Sequence, residues 1–324
     1  MAKRRTMGDI AEKAGVSRST VSRVLNGEPV VSEETAAQVR RLAAEMGYRM
    51  RPSRKRGERS RLESKRVLVI SQAALEDGGG GLAAVGSALL GALSELGCLA
   101  EFVSWDSLDI GRVNGVAGAV LLRGAPGGQL PECLAGIPCV QLLELPDSAG
   151  LHVDVITMDY HMVGVLAADW LHEQGCKSLV TVVPDNPVAS MRELSFEGRA
   201  RAHGCKVTEV KAPGEAIEAE DASALVARIA KIKPRPDGLF AFNDHTLLAL
   251  YSHLVKSGFD LDHGLRMIGC DAEPFVKALS PRPATIDTHI PEMARRAAET
   301  LLWRIGNPVA RPVTLMLRPE VVAP

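Results

Sequence analysis

Thr6-Met7-Gly8-Asp9-Ile10-Ala11-Glu12-Lys13-Ala14-Gly15-Val16-Ser17-Arg18-Ser19-Thr20-Val21-Ser22-Arg23-Val24-Leu25-Asn26-Gly27 reads as a helix, a tight turn and a second helix. Thr6 stands where a cap belongs, with Asp9 three residues on at the capping-box spacing, and Gly15 ends the first helix. Ser17 is placed to cap the second, whose apolar side is Val21, Val24 and Leu25 while Arg18, Ser19, Ser22 and Arg23 occupy the other side. A helix with a short polar, cationic face is the shape a DNA major groove accepts. Ser32 starts a third helix, and Ala36, Val39, Leu42, Ala43 and Met46 at helical spacing close a small all-α head before Gly47 and Tyr48.

The segments Asp9-Ile10-Ala11, Ala14-Gly15-Val16-Ser17, Thr20-Val21-Ser22-Arg23-Val24-Leu25-Asn26 and Val31-Ser32 closely resemble the lactose repressor/galactose repressor family of bacterial transcription regulators. The resemblance implies that Arg18, Ser19 and Arg23 read base edges and that Thr6, Ser22, Asn26 and Tyr48 contact phosphates, with Ser17 and Thr20 counted in the same surface. Side-chain chemistry agrees. An arginine offers a bidentate fork to guanine, whereas hydroxyls and amides suit backbone positioning. Ser22 and Asn26 read equally well as capping or solvated groups.

Residues 1–66 hold 4 Lys and 13 Arg against 8 Asp and Glu, a net of +9, so the chain's overall -1 leaves -10 for residues 67–324. A basic head on an acidic body concentrates attraction for phosphate at one end. Residues 49–66 contain nine Lys or Arg and almost nothing apolar, a composition that cannot fold alone. Members of the family carry a hinge helix here that wedges a leucine into the minor groove. The corresponding position, nine after Tyr48, is Gly57, and Leu62 is the linker's only leucine. The segment therefore reads as a polybasic tether in which Arg54, Lys55 and Arg56 add phosphate contacts, with a hinge helix in shifted register as the alternative.

From Val67 onward, short β-branched runs alternate with helical stretches. Strands are expected at Val67–Ile70, Leu99–Val103, Val116–Leu122, Val140–Leu143, Leu179–Val183, Gly238–Phe242 and Arg266–Cys270. Helices are expected at Leu82–Leu96, Val163–Gln174, Met191–His203, Thr246–Ser257 and Pro291–Ile305. This is the pattern of an α/β body of two doubly wound parallel-sheet lobes, and the family's body has the same order and resembles periplasmic sugar-binding proteins. The expected division is a head at 1–48, a basic linker at 49–66 and a body at 67–324. Within the body, lobe 1 covers about 67–174 and 288–310, and lobe 2 about 175–287 and 311–324.

Ligands of such folds sit at the carboxyl ends of the strands, between the lobes. Asn243 and Asp271 follow strands there and match the family's ligand-contact positions; capping of the next helix is the alternative reading for both and for Asp244. The family's arginine, three residues before the glycine of the helix after Pro184-Asp185, is replaced by Ser195, leaving Arg192 to substitute from the neighbouring turn. Asp159 matches a frequent aspartate at a strand end. Glu76-Asp77-Gly78-Gly79-Gly80-Gly81 lacks the Lys-Ser/Thr of a phosphate-binding loop and reads as a plain loop. Trp170 and Trp303 read as core, and Trp105 as a weak pocket candidate.

Cys98, Cys133, Cys139, Cys176, Cys205 and Cys270 show no Cys-x-x-Cys pair and read as reduced packing residues. No His-x-x-x-His, His-Glu-x-x-His or Gly-x-Ser-x-Gly pattern occurs, so neither a metal, a cofactor nor a catalytic role is expected. With no signal-like N-terminus and no run of about eighteen apolar residues, the expectation is a cytoplasmic, nucleoid-associated protein. The expected partners are operator double-stranded DNA, a small-molecule effector and a second copy of the chain in a homodimer.

Overall fold

The computed structural model describes residues 7–25, 33–46, 65–71, 79–125, 128–143, 153–214 and 217–324. Thr6, Asn26, Tyr48, Arg54, Lys55 and Arg56, together with Gly57 and Leu62, lie outside them, as do the side chains of Ser22 and Arg23. By internal contact the chain divides into two units, Met1–Ser60 and Arg61–Pro324.

In the first unit, α1 (Met7–Ala14), α2 (Arg18–Leu25) and α3 (Glu33–Glu45) enclose Ile10, Val21, Val24, Ala36 and Val39. Gly15 lies in the left-handed region at φ 67, where a side chain would be strained. Its amide bonds the Glu12 carbonyl while the Val16 amide reaches the Ala11 carbonyl, a Schellman closure that turns the chain into α2.

The second unit holds two parallel sheets. Lobe 1 comprises β1 (Arg66–Ser71), α4 (Gly79–Glu95), β2 (Leu99–Ser104), α5 (Ile110–Val113), β3 (Val116–Leu122), β4 (Cys139–Leu142) and β5 (Asp154–Met158). Lobe 2 continues with α6 (Tyr160–Glu173), β6 (Ser178–Pro184), α7 (Pro187–Ala202), β7 (Lys206–Ala212), α8 (Ala219–Ile229), β8 (Gly238–Ala241), α9 (Asp244–Lys256), β9 (Arg266–Ile268) and β10 (Thr285–Asp287). The chain then returns to lobe 1 for α10 (Ile290–Gly306) and β11 (Thr314–Leu317) and ends with β12 (Glu320–Val322). The strand orders are β11-β5-β4-β3-β1-β2 and β7-β6-β8-β9, with β10 and β12 forming an antiparallel ribbon. Val67, Leu68, Val69 and Ile70 are all buried because β1 is covered on both faces, which explains its unbroken apolar run.

Sheet membership shifts the expected lobe limits. Helix α6 packs on α7 and touches β8, β9, β10 and β12, so lobe 2 begins after Asp159 rather than after residue 174. Strand β11 pairs with β5, which places 314–317 in lobe 1 rather than lobe 2. The chain thus crosses between lobes after Met158, at Thr288-His289 and at Arg318-Pro319. Gly79–Gly81, expected in a loop, form the start of α4. Trp170 is buried, but Trp303, expected in the core, is 48% exposed and lies beside the Arg304 guanidinium. All six cysteines are free, five of them buried, and burial pushes the Cys139 and Cys176 thiols up to about 12.

Candidate functional site

In the head, Ser17 caps α2: its Oγ accepts the Thr20 amide at 3.1 Å and lies 2.6 Å from Ser19 Oγ and 2.9 Å from Thr20 Oγ1. Ser17, Arg18 and Ser19 are exposed and Thr20 half-buried, while Val21 and Val24 face inward. Arg18 and Ser19 lie on the side of α2 away from that core. The hydroxyl cluster fixes the first turn of α2 and presents it with Arg18.

In the body, the carboxyl ends of the strands carry the backbone strain. Every described non-glycine residue with positive φ follows a strand: Arg123 after β3, Leu143 after β4, Asp271 and Ala272 after β9, and His289 after β10. Such conformations persist only where surrounding structure holds them, and they gather at ligand sites and switches. Asp271, at φ 98, is held by its amide on the Ile286 carbonyl at 2.8 Å.

Arg192 of α7 reaches this region from within lobe 2. It is 3% exposed, donates from Nη1 to the Phe242 carbonyl at 2.8 Å, and brings Nη2 to 3.7 Å from Met158 Sδ and 4.0 Å from Asp271 Oδ1. Its guanidinium also lies over the Phe242 ring at 4.9 Å and the Tyr160 ring at 5.7 Å. Tyr160 in turn donates its hydroxyl to the Leu143 carbonyl of lobe 1 at 3.3 Å. Arg192, Asp271, Tyr160 and Phe242 therefore form one group at the lobe junction. Tyr160 and Phe242 were not singled out in the sequence; the position of Phe242 directly after a buried strand and before Asn243 was the available signal.

Asn243 caps α9, its Oδ1 accepting the Thr246 amide at 2.8 Å, and Asp159 caps α6 through the Met162 amide at 3.0 Å. Ser195 does not join the group around Arg192. Its hydroxyl donates to the Met191 and Arg192 carbonyls of its own helix and sits against Gly164 of α6. A Cβ on Gly164 would lie 2.0 Å from the Arg192 oxygen, so the two helices touch here because one residue has no side chain.

Asp244, fully buried, is a tie rather than a cap. It accepts the Thr285 hydroxyl at 2.8 Å and the Glu273 amide at 2.9 Å, joining α9 to β10 and to the loop after β9. Burial without a cation pushes its carboxyl up to about 7, against the two hydrogen bonds that favour the charged form. Gly269 makes room for it: a Cβ there would stand 2.1 Å from Asp244 Oδ1. His245 stacks edge-on against Phe275 and lies 3.7 Å from Glu273 Oε1 on the same rim.

Comparison with known proteins agrees with both parts. Residues 6–50 match the family described as bacterial regulatory proteins, lacI family, and residues 168–323 match the periplasmic binding protein-like domain. The HTH-type transcriptional regulator GntR of Pseudomonas aeruginosa is 25% identical over 335 residues, covering 99% of this chain and 95% of that protein. The ribose operon repressor of Haemophilus influenzae is 27% identical over 331 residues, covering 98% and 97%. Among solved structures, a complex of the transcriptional regulator CelR with cellobiose has a TM-score of 0.66 at 23% identity, covering 99% of each chain. The lac repressor dimer bound to operator and an anti-inducer has a TM-score of 0.65 at 17% identity, covering 99% of this chain and 98% of that one, a likeness of fold. With a lacI-family helix-turn-helix head at residues 6–50 joined to a periplasmic binding protein-like body at residues 168–323, the chain has the make-up of DNA-binding transcription regulators and is similar over nearly its whole length to members of the lacI family.

Proposed function

We propose that the protein is a repressor that grips a pseudo-palindromic operator as a homodimer, and that a polar small molecule held between the lobes changes the grip. The convergence of Arg192, Asp271, Tyr160 and Phe242 at the carboxyl ends of the strands carries this reading. A guanidinium lying over two aromatic rings, with a carboxylate 4.0 Å from it, suits a ligand with hydroxyl or amine groups. Asn243 and Asp159 flank it. Two relatives are described by a sugar, one as a ribose operon repressor and one in complex with cellobiose. In the head, Arg18, Ser19 and Arg23 read bases, and Ser17, Thr20 and Ser22, with Thr6, Asn26 and Tyr48, meet phosphates. Arg54, Lys55 and Arg56 add charge along the backbone. The dimer has support in α9, where Leu248 and Val255, seven residues apart on one side of the helix, are 40% and 53% exposed. The protein acts on the nucleoid, in the cytoplasm.

A second reading is favoured by one observation: the Arg192 guanidinium is already engaged by Phe242, Met158 and Asp271. On that reading the cleft is internally satisfied and DNA binding answers to no small molecule. Recovery of genomic fragments on the purified protein at near-physiological salt, followed by sequencing, tests the operator; a shared palindrome is expected, and binding with no common site would overturn it. Small molecules that the products of neighbouring genes transport or convert are then added to the operator complex, and release by one of them separates the first reading from the second. Arg23→Ala is expected to reduce discrimination between operator variants by about 1–3 kcal/mol, measured by competition, and an equal loss on all sequences would remove its base-reading role.

A further inference from the structure

Asp287, His289 and Glu320 meet at the seam between the lobes, and their donor atoms all lie within 4.8 Å of one another. His289 Nδ1 is 3.5 Å from Asp287 Oδ2, and Nε2 is 4.0 Å from Glu320 Oε1. Asp287 ends β10 and Glu320 starts β12, and the two are direct partners in the antiparallel register. Like charges placed directly opposite on a two-stranded ribbon repel, and their position is costly unless a cation lies between them. The imidazole is delivered to the same point by a left-handed residue, His289 at φ 55, whose amide donates to Asp287 Oδ1 at 2.7 Å.

We propose that Asp287, His289 and Glu320 bind a divalent transition-metal ion of the zinc type, with water completing the coordination. Imidazole and carboxylate are ligands such ions accept, at about 2.0–2.2 Å, which sets neighbouring donor atoms of a tetrahedral site about 3.3–3.6 Å apart. The pair His289 Nδ1 and Asp287 Oδ2 already has that spacing. Only Glu320 has to close in, and its side chain is 69% exposed and so able to change rotamer. The ion would neutralise both carboxylates. Two of the three chain crossings between the lobes, Thr288-His289 and Arg318-Pro319, adjoin the site. An occupied site clamps β10 to β12 beside those crossings, which makes metal a second input to a regulator whose lobes change their angle. The spacing Asp287-x-His289, with Glu320 thirty-one residues further on, matches no short metal motif and comes together only through the ribbon.

The test is calorimetric titration of the full chain, stripped with chelator, with Zn2+ alone. Expected is one ion per chain and a melting temperature that rises with metal. Glu320→Gln, at an exposed position, is expected to melt like the stripped wild type and to bind at least about 100-fold more weakly. His289→Asn, chosen because asparagine tolerates the left-handed backbone, should do the same. Zinc binding that survives both substitutions would place the ion elsewhere, on a cysteine for instance, and overturn the proposal. Absence of binding to the wild type would reduce the cluster to an imidazole bridging two carboxylates and overturn it equally.

Discussion

Each lobe buries a carboxylate completely, and the two are treated in opposite ways. In lobe 1, at the amino end of β5, Asp154 takes two bonds of 2.7 Å from the Arg304 guanidinium of α10 and a third from the Val313 amide. That pairing holds the Arg304 guanidinium above its usual value. In lobe 2, at the cleft end of β8, Asp244 is surrounded by neutral donors alone, and burial pushes it up to about 7. A buried acid matched by a fork of opposite charge is a fixed strut at the amino end of its strand, away from the cleft. A buried acid matched only by a hydroxyl and an amide titrates near neutrality, beside the cleft where a ligand's charge would be felt.

Breaking the strut should have the largest effect. Arg304→Met leaves Asp154 buried without its guanidinium, with only the Val313 amide as a donor, and is expected to cost about 3–5 kcal/mol in urea unfolding. Replacing both partners, with Asp154→Leu added, should recover most of it; a double variant as unstable as the single one would mean that packing of Arg304, not its charge, holds α10 to the sheet.

The acid in lobe 2 should respond to pH instead. Its folded value of about 7 lies above the ordinary 3.8, so the folded state holds the proton more tightly over that interval. Stability therefore falls as pH rises from about 4 to about 7, by up to about 4 kcal/mol, and Asp244→Asn should flatten that slope when unfolding is measured across the range. A slope unchanged in the variant would assign the titration to another group. The smallest effect is expected from Thr285→Val, which removes one donor from Asp244 and should cost about 1 kcal/mol at pH 8. Losing that bond raises the carboxyl further, so the penalty should shrink at pH 5, where the proton is already in place; equal penalties at both values would mean that the hydroxyl does not act through Asp244.

Much of the body was legible. The strand at Val116–Leu122 is found as expected, and β1, β2, β6 and β8 differ from expectation by a residue or two at their ends, because strands covered on both faces are unbroken apolar runs. The strand at Lys206–Ala212 and the helix at Ala219–Ile229 were not anticipated. The first is an edge strand whose exposed Lys206, Glu209 and Lys211 alternate with Val207, Thr208 and Val210 and so hide its apolar face. The lobe limits were misplaced for a related reason. Helix α6 has apolar residues along its length, and nothing in its own sequence says which lobe they cover.

The site was legible in kind but not in detail. Asn243 and Asp271 were identifiable because they follow strands, yet Asn243 and Asp159 also cap the helices that begin there, since a strand's carboxyl end and a helix's amino end are the same few residues in this fold. Ser195 was placed by its distance from Gly198, but the close approach at Gly164 decided that its hydroxyl bonds its own helix.

The head's helices, the charge division of the chain and the alternating order of the body follow from local pattern, because capping, helical phase and apolar runs act between residues near in sequence. Which carboxylate meets a guanidinium and which stands alone, and the meeting of Asp287, His289 and Glu320, are settled only by tertiary structure. Asp154 and Arg304 are 150 residues apart and Asp244 and Thr285 are 41. Burial and charge pairing over such separations exist only once the sheets and crossings have formed.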